Sequence, residues 1–115
     1  MRRVKVYIAS PYRLGDKQFN VDRQIAMFDK LMKLGFVPFA PLLNHYVDIQ
    51  FQHTESEWLE YDFEWMAWCD AVLRLDGQSS GADAEVEIHN QYGKPVFYSL
   101  EDLCRAYGIK TLDNS

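Results

Sequence analysis

The hydrophobic pattern switches between two periods along the chain. Val4-Lys5-Val6-Tyr7-Ile8-Ala9 alternates and is rich in β-formers, which predicts a first, central strand. Asn20 is placed to cap a helix from Val21 to about Leu34, where Ile25, Phe28, Leu31 and Met32 recur at helical spacing and Gly35 closes the last turn. Phe36-Val37-Pro38-Phe39 reads as a short strand, at an edge because Pro38 removes a ladder donor. From Ala40 to His53 no period holds. Pro41, Asn44, His45, Tyr46 and His53 crowd a stretch that reads as a long irregular loop, of the kind that handles substrate.

Thr54 and Glu57 then carry the capping-box pattern and open a helix to about Trp68. Leu59, Phe63 and Met66 line one of its faces, and Trp58, Tyr61, Trp65 and Trp68 an adjoining one. That is more aromatic surface than one small sheet covers, so part of it is expected to meet a second subunit or a flat ligand. Ala71 to Leu75 is an apolar strand. It leads into Ser-Ser-Gly-Ala-Asp-Ala-Glu at 79–85, where Ser80 is the expected N-cap, Asp83 completes an acidic capping box, and Gly93-Lys94-Pro95 is the stop. Val96-Phe97-Tyr98 is a last strand, Ser99 to Tyr107 a short capped helix, and Thr111 to Ser115 a frayed end. Strands and helices alternating in this way predict an α/β domain: a doubly wound, flavodoxin-like open parallel sheet of four or five strands flanked by helices. The expected strand order is 2-1-3-4, with residues 1–115 forming a single domain.

Composition narrows the partners. At 48% hydrophobic and 15% aromatic the chain is globular, and no apolar run reaches the ~18–20 residues of a membrane span. A net charge of −5 without a basic stripe argues against nucleic-acid polymers, yet leaves room for one phosphate held by local donors. Cys69 and Cys104 match no metal spacing and read as reduced thiols of a cytoplasmic protein. No metal and no cofactor is expected.

Candidate chemistry gathers where open α/β sheets bind ligands, beyond the C-terminal ends of the strands. Glu85 falls in the second turn of the helix after the third strand. The loop Ser10-Pro11-Tyr12-Arg13-Leu14-Gly15-Asp16 offers small, hydroxyl and basic groups for an anion or sugar, and equally reads as an ordinary turn. His45 and His53 read as half-exposed loop residues or as ligands. From pattern alone Asp62 is a solvated helix carboxylate like Glu60 or Glu64. Glu85 with His89, and Asp83 with Glu87, are i,i+4 pairs that would suit a metal given a third ligand, which the spacing does not supply.

Tyr7, Asp62 and Ser79-x-Gly81-x-x-x-Glu85, followed by x7-Gly93-Lys94-Pro95, resemble the nucleoside 2-deoxyribosyltransferases and the related deoxynucleoside 5′-monophosphate N-glycosidases. The resemblance runs from about Val4 to Tyr98. With Tyr-Ile-Ala-Ser-Pro-Tyr at 7–12 and Cys69-Asp70-Ala71-Val72, the chain looks closest to a short branch of that superfamily. The resemblance implies that Glu85 attacks the anomeric carbon, that Asp62 protonates the leaving base, and that Tyr7 orients the nucleophile. Ser79 stands where the transferases carry an acidic residue and the monophosphate glycosidases a serine. Ser10, Arg13, Ser79, Ser80 and Gly81 are therefore the expected substrate-binding set. Val86-Glu87 stands where the transferases have Leu-Gly. The family's second subunit adds C-terminal residues, for which only Asn114 offers a match.

The implied reaction is cleavage of the N-glycosidic bond of a (deoxy)nucleoside 5′-monophosphate through a Glu nucleophile, with nucleobase released. The alternatives are base exchange by a 2-deoxyribosyltransferase and a non-catalytic nucleotide-binding module. The expected partners are a small nucleoside or nucleotide and further copies of this chain. Cleavage through an oxocarbenium-like state needs a negative group beneath the anomeric carbon and a proton for the base. Two carboxylates in opposed environments supply both.

Overall fold

Lys5–Ala9 (β1) is buried from Val6 onward and sits inside the sheet, paired in parallel with Val37–Phe39 (β2) on one side and Ala71–Arg74 (β3) on the other. Val96–Phe97 (β4) pairs with β3, so the strand order is β2-β1-β3-β4, the expected doubly wound sequence. The computed structural model describes residues 3–110, and among these there is no fifth strand. Asn114 and the tail from Thr111 lie outside the described residues.

The helices are Lys17–Lys33 (α1), Asn44–Gln50 (α2), Glu55–Met66 (α3), Ser80–Gln91 (α4) and Leu100–Ala106 (α5). Strand alternation divides the core in two. Val6, Ile8, Leu73 and Leu75 meet Leu31 of α1, Phe36, and Leu103 and Cys104 of α5. On the other face Tyr7, Ala9 and Val72 meet Met66 of α3, Cys69, and Ala82 and Val86 of α4. No helix among the described residues is long and apolar enough to cross a membrane.

Several local expectations are corrected. α1 starts earlier than Val21, because Asp16 is the cap: its Oδ1 accepts from the Phe19 N–H at 3.1 Å. Asn20 lies inside the helix and is buried, donating to the carbonyls of Tyr12 (3.1 Å) and Leu14 (2.9 Å), so it pins the β1–α1 loop instead of capping. The buried face of α1 is rotated accordingly. Asn20, Val21, Gln24 and Leu31 face inward, while Ile25 and Met32 are exposed. Two polar side chains in the inward stripe hid it from a hydrophobic count.

The stretch read as an irregular loop is a 3-10 turn, Pro41–Leu43, running into α2. α2 buries no residue, so no apolar period could announce it. The Thr54–Glu57 capping box is present as expected. At α4 the cap is Ser79, not Ser80: the Ser79 Oγ accepts from the Ala82 N–H at 3.1 Å. Asp83 makes no capping box, since its carboxylate accepts from Arg74 at 3.1 Å.

The loops that follow β1 and β3 touch at the C-terminal edge of the sheet. Gly77 has φ +114°, and a Cβ built there would stand 2.9 Å from the buried Pro11 ring. Gly77→Ala therefore combines left-handed strain with a clash. We expect it to lower stability by ~1–3 kcal/mol and the Tm by several degrees, as read by thermal unfolding. An unchanged Tm would mean that the two loops do not abut.

Candidate active site

Tyr7 is the first fixed point. Its side chain leaves β1 on the α3–α4 face and is fully buried, with the ring between Phe39 (centroids 5.5 Å) and His89 (5.0 Å). Burial and the nearby carboxylates push the phenol well above its usual range, so it keeps its proton. That proton is donated to Glu85 Oε2 at 2.5 Å.

Glu85 reaches this phenol because the Ser79 cap sets where α4 begins and the helical turn brings residue 85 inward beside Ala82, Val86 and His89. Burial pushes its carboxyl up to about 8. The Tyr7 hydrogen bond opposes that rise, the charge on Asp62 adds to it, and Arg74 opposes it. Asp62 is buried at 8% exposure, which corrects its reading as a solvated helix carboxylate. α2 reaches it: Asn44 Nδ2 donates to Asp62 Oδ1 at 2.9 Å. Burial raises Asp62 to about 7, only partly offset by the Asn44 bond. Tyr7, Asp62 and Glu85 thus sit within one electrostatic neighbourhood: both carboxyls raise the phenol, and Asp62 raises Glu85.

The aromatic wall beside them is ordered. Trp65 stacks on Phe39 at 5.4 Å and 18°, and Tyr61 and Trp58 continue the row along α3. A cavity of about 330 Å³ opens on this side, lined by Asn44, Val47, His53, Glu57, Trp58 and Tyr61. It reaches the asparagine that holds Asp62.

The remaining predicted residues are placed differently. Ser10 is buried and its Oγ accepts from Gln24 Nε2 at 2.7 Å; Gln24 also donates to the Ile8 carbonyl and accepts from the Leu42 N–H. Arg13 is exposed and paired with Glu55 at 3.0 Å. Ser79 has its oxygen engaged as the helix cap, while Ser80 and Gly81 lie exposed in the first turn of α4. His45 bonds the Tyr12 hydroxyl through Nδ1 at 2.5 Å, and His53 lies beside Glu57 at 3.7 Å. His89 is fully buried, with Nδ1 directed at the Glu85 backbone carbonyl (2.8 Å) and Nε2 without a hydrogen-bond partner. Burial holds its imidazole below the usual range, hence neutral. Among the described residues no three His, Cys, Asp or Glu side chains come together as a metal site.

Two neighbours of the site escaped the sequence reading, Gln24 and Arg74, while Asn44 entered it only as part of the irregular stretch after Ala40. Of the two, Arg74 left a signal, a cation inside the apolar run Ala71 to Leu75.

A parallel 2-1-3-4 sheet with helices packed on both faces defines a flavodoxin-like α/β domain. The chain belongs to a particular family of that class: the model described as "Domain of unknown function (DUF7768)" matches residues 4–99. Among solved structures, it is similar to the 2-deoxyribosyltransferase of the psychrotolerant bacterium Bacillus psychrosaccharolyticus, characterised as a biocatalyst for antiviral and antitumoral nucleosides. The two share 24% identity with a TM-score of 0.65, over 81% of this chain and 69% of that one, which shows a common fold. No curated protein matches the chain in sequence.

The raised carboxyls make stability depend on pH. Asp62 and Glu85 hold protons in the fold that the unfolded chain has already released, from about pH 4 up to about 8. Their contribution to stability therefore falls as pH rises through that window. Glu85→Gln removes the penalty and keeps the shape. At pH 8 we expect this variant to be more stable than wild type by ~1–3 kcal/mol, with the gain vanishing near pH 4. Denaturant melts at the two pH values check it; a destabilised variant at pH 8 would show that burial does not penalise this carboxylate.

Proposed function

We propose that this chain cleaves the N-glycosidic bond of a (deoxy)nucleoside 5′-monophosphate, with Glu85 as nucleophile. The observation that carries the reading is the Tyr7 hydroxyl on Glu85 Oε2 at 2.5 Å, with a buried carboxyl, Asp62, close enough to raise the half-buried Glu85. One oxygen of Glu85 is held and oriented, leaving the other to attack C1′. As the C1′–N bond breaks, Asp62 gives its proton to the departing nucleobase. Water then loses a proton to Asp62, attacks C1′ and frees Glu85. The likeness in fold to a 2-deoxyribosyltransferase supports nucleoside chemistry at this site.

Attack requires Glu85 ionised and Asp62 protonated, so the pair works while it holds one proton. Burial raises both carboxyls, so the pair still holds a proton near neutral pH. The reactive arrangement is the one with that proton on Asp62, where the departing base receives it.

The phosphate is assigned to the first turn of α4. Ser80 and Gly81 are exposed there, where backbone N–H groups favour an anion, and Ser79 carries no charge that would repel one. Base exchange on a free nucleoside is the second reading. It is favoured by the engagement of Ser10 with Gln24 and of Arg13 with Glu55, which leaves fewer donors for a phosphate.

Nucleosides and their 5′-monophosphates, incubated with and without an acceptor base, separate these readings by chromatography. We expect free base from the monophosphate, with kcat/KM bell-shaped between limbs near pH 7 and 8. Glu85→Ala should lose at least ~100-fold in turnover. Asp62→Asn should lose more on an ordinary nucleobase than on an activated one. A change in affinity alone on Glu85→Ala would make the domain a binding module, and exchanged nucleoside would make it a transferase.

We also propose that the protein works as a homo-oligomer with α3 at the interface. Trp65 and the adjacent Trp68 are 43% and 71% exposed, and Tyr61 lies beside them. A monomer cannot cover that much aromatic surface. Light scattering at high micromolar concentration should give a dimer or larger species, and Trp68→Glu should dissociate it; a monomeric wild type overturns the assignment.

A further inference from the structure

Arg74 is the cation that the glycosidase mechanism leaves unused. It ends β3 on the same face as Val72, and the register pairs Tyr7 with Val72 and Ala9 with Arg74. Its side chain therefore leaves the sheet in the layer of the Tyr7–Glu85 pair, about 6–7 Å nearer the C-terminal edge. It is buried, at 7% exposure, and no other ammonium or guanidinium is buried among the described residues. Its guanidinium donates to the carbonyls of Leu75 and Gly77 and, at 3.1 Å, to Asp83 Oδ1. Asp83 is its one acidic partner among those bonds, and that side chain is largely exposed.

A buried guanidinium is stable only where negative charge balances it. An exposed carboxylate surrounded by water neutralises it incompletely, so part of its field reaches inward. The titratable and charged groups that act on Glu85 from the packed elements are Tyr7 on β1, which bonds it, Asp62 on α3, and Arg74, which leaves β3 on the same sheet face; on its own helix His89 is neutral. Of these, only Arg74 brings positive charge.

We infer that Arg74 is the internal counter-cation of the Glu85 carboxylate, and that Asp83, through its ion pair with Arg74, sets how much of that charge Glu85 feels. Arg74 is thus a positioning residue that acts through Glu85 without touching substrate. The use of this arrangement in catalysis rests on the glycosidase reading; the electrostatic arrangement does not, and its test is independent of turnover.

The test is the titration of Glu85 in the free protein, followed by carbon-13 NMR of glutamate-labelled samples and assigned by the resonance lost in Glu85→Gln. Arg74→Met should raise the Glu85 midpoint by about one pH unit, and Arg74→Lys, which keeps the charge, by clearly less. Asp83→Asn should lower it, by a smaller amount because Asp83 is exposed. Arg74→Met also strips donors from two loop carbonyls, so Asp83→Asn is the variant that decides the matter if Arg74→Met fails to fold. Opposite shifts in the two variants support the inference. A midpoint unmoved by Asp83→Asn, or an Arg74→Lys shift as large as that of Arg74→Met, overturns it and leaves Arg74 as a loop fastener. If the shifts appear but no nucleoside or nucleotide is cleaved, the glycosidase reading fails while the charge arrangement stands.

Discussion

The hydrogen bond from the Tyr7 phenol to Glu85 ties the middle of β1 to the second turn of α4. Its strength comes from the cost of the alternatives. A carboxylate taken out of water without a donor is destabilised by several kcal/mol, and a buried phenol needs an acceptor. Each satisfies the other, and the union fixes the rotational phase of α4 against the sheet. The rest follows from that phase. Ala82 and Val86 turn onto Val72, His89 lies against the Tyr7 ring, and the first turn of α4 is left open at the strand ends.

How far this was legible in the sequence depends on which force places each residue. The strands and the α3 start were readable because β-branched alternation and the Thr54–Glu57 box are local signals. The sheet order followed from the alternation of elements. α2 was not readable, because the residues it turns toward the domain, Asn44, His45 and Asp48, are polar and leave no apolar period. The same blindness hid the environment of Asp62, whose burial depends on Asn44 arriving from that helix. Asn20 and Gln24 misled the reading of α1, since buried amides that serve backbone carbonyls look like surface residues in a hydropathy pattern. The meeting of Tyr7 with Glu85 spans 78 positions; the resemblance implied it, and composition or spacing did not.

A tension between stability and chemistry runs through the same side chains. Asp62 and Glu85 are kept from water, which raises both and taxes the fold at neutral pH. His89 adds a buried nitrogen without a partner. Such costs are tolerable because the opposite face carries the ordinary core: Val6, Ile8, Leu31, Leu73 and Leu103 pack there around an uninterrupted apolar cluster. The molecule has an apolar, stabilising face and one that carries its buried titratable groups, separated by a single sheet.

α2 is fastened in an unusual way. It buries no side chain, and it is held to the domain by polar bonds: Asn44 to Asp62, His45 to Tyr12, and Asp48 to the Trp58 indole at 2.7 Å. A segment attached by a few side-chain hydrogen bonds and little apolar contact detaches at low free energy while the core stays intact. Its amides should exchange with solvent long before those of β1. Each such excursion releases the Asn44 bond to Asp62, which gives a carboxyl with little exposure a route to equilibrate its proton with the surroundings.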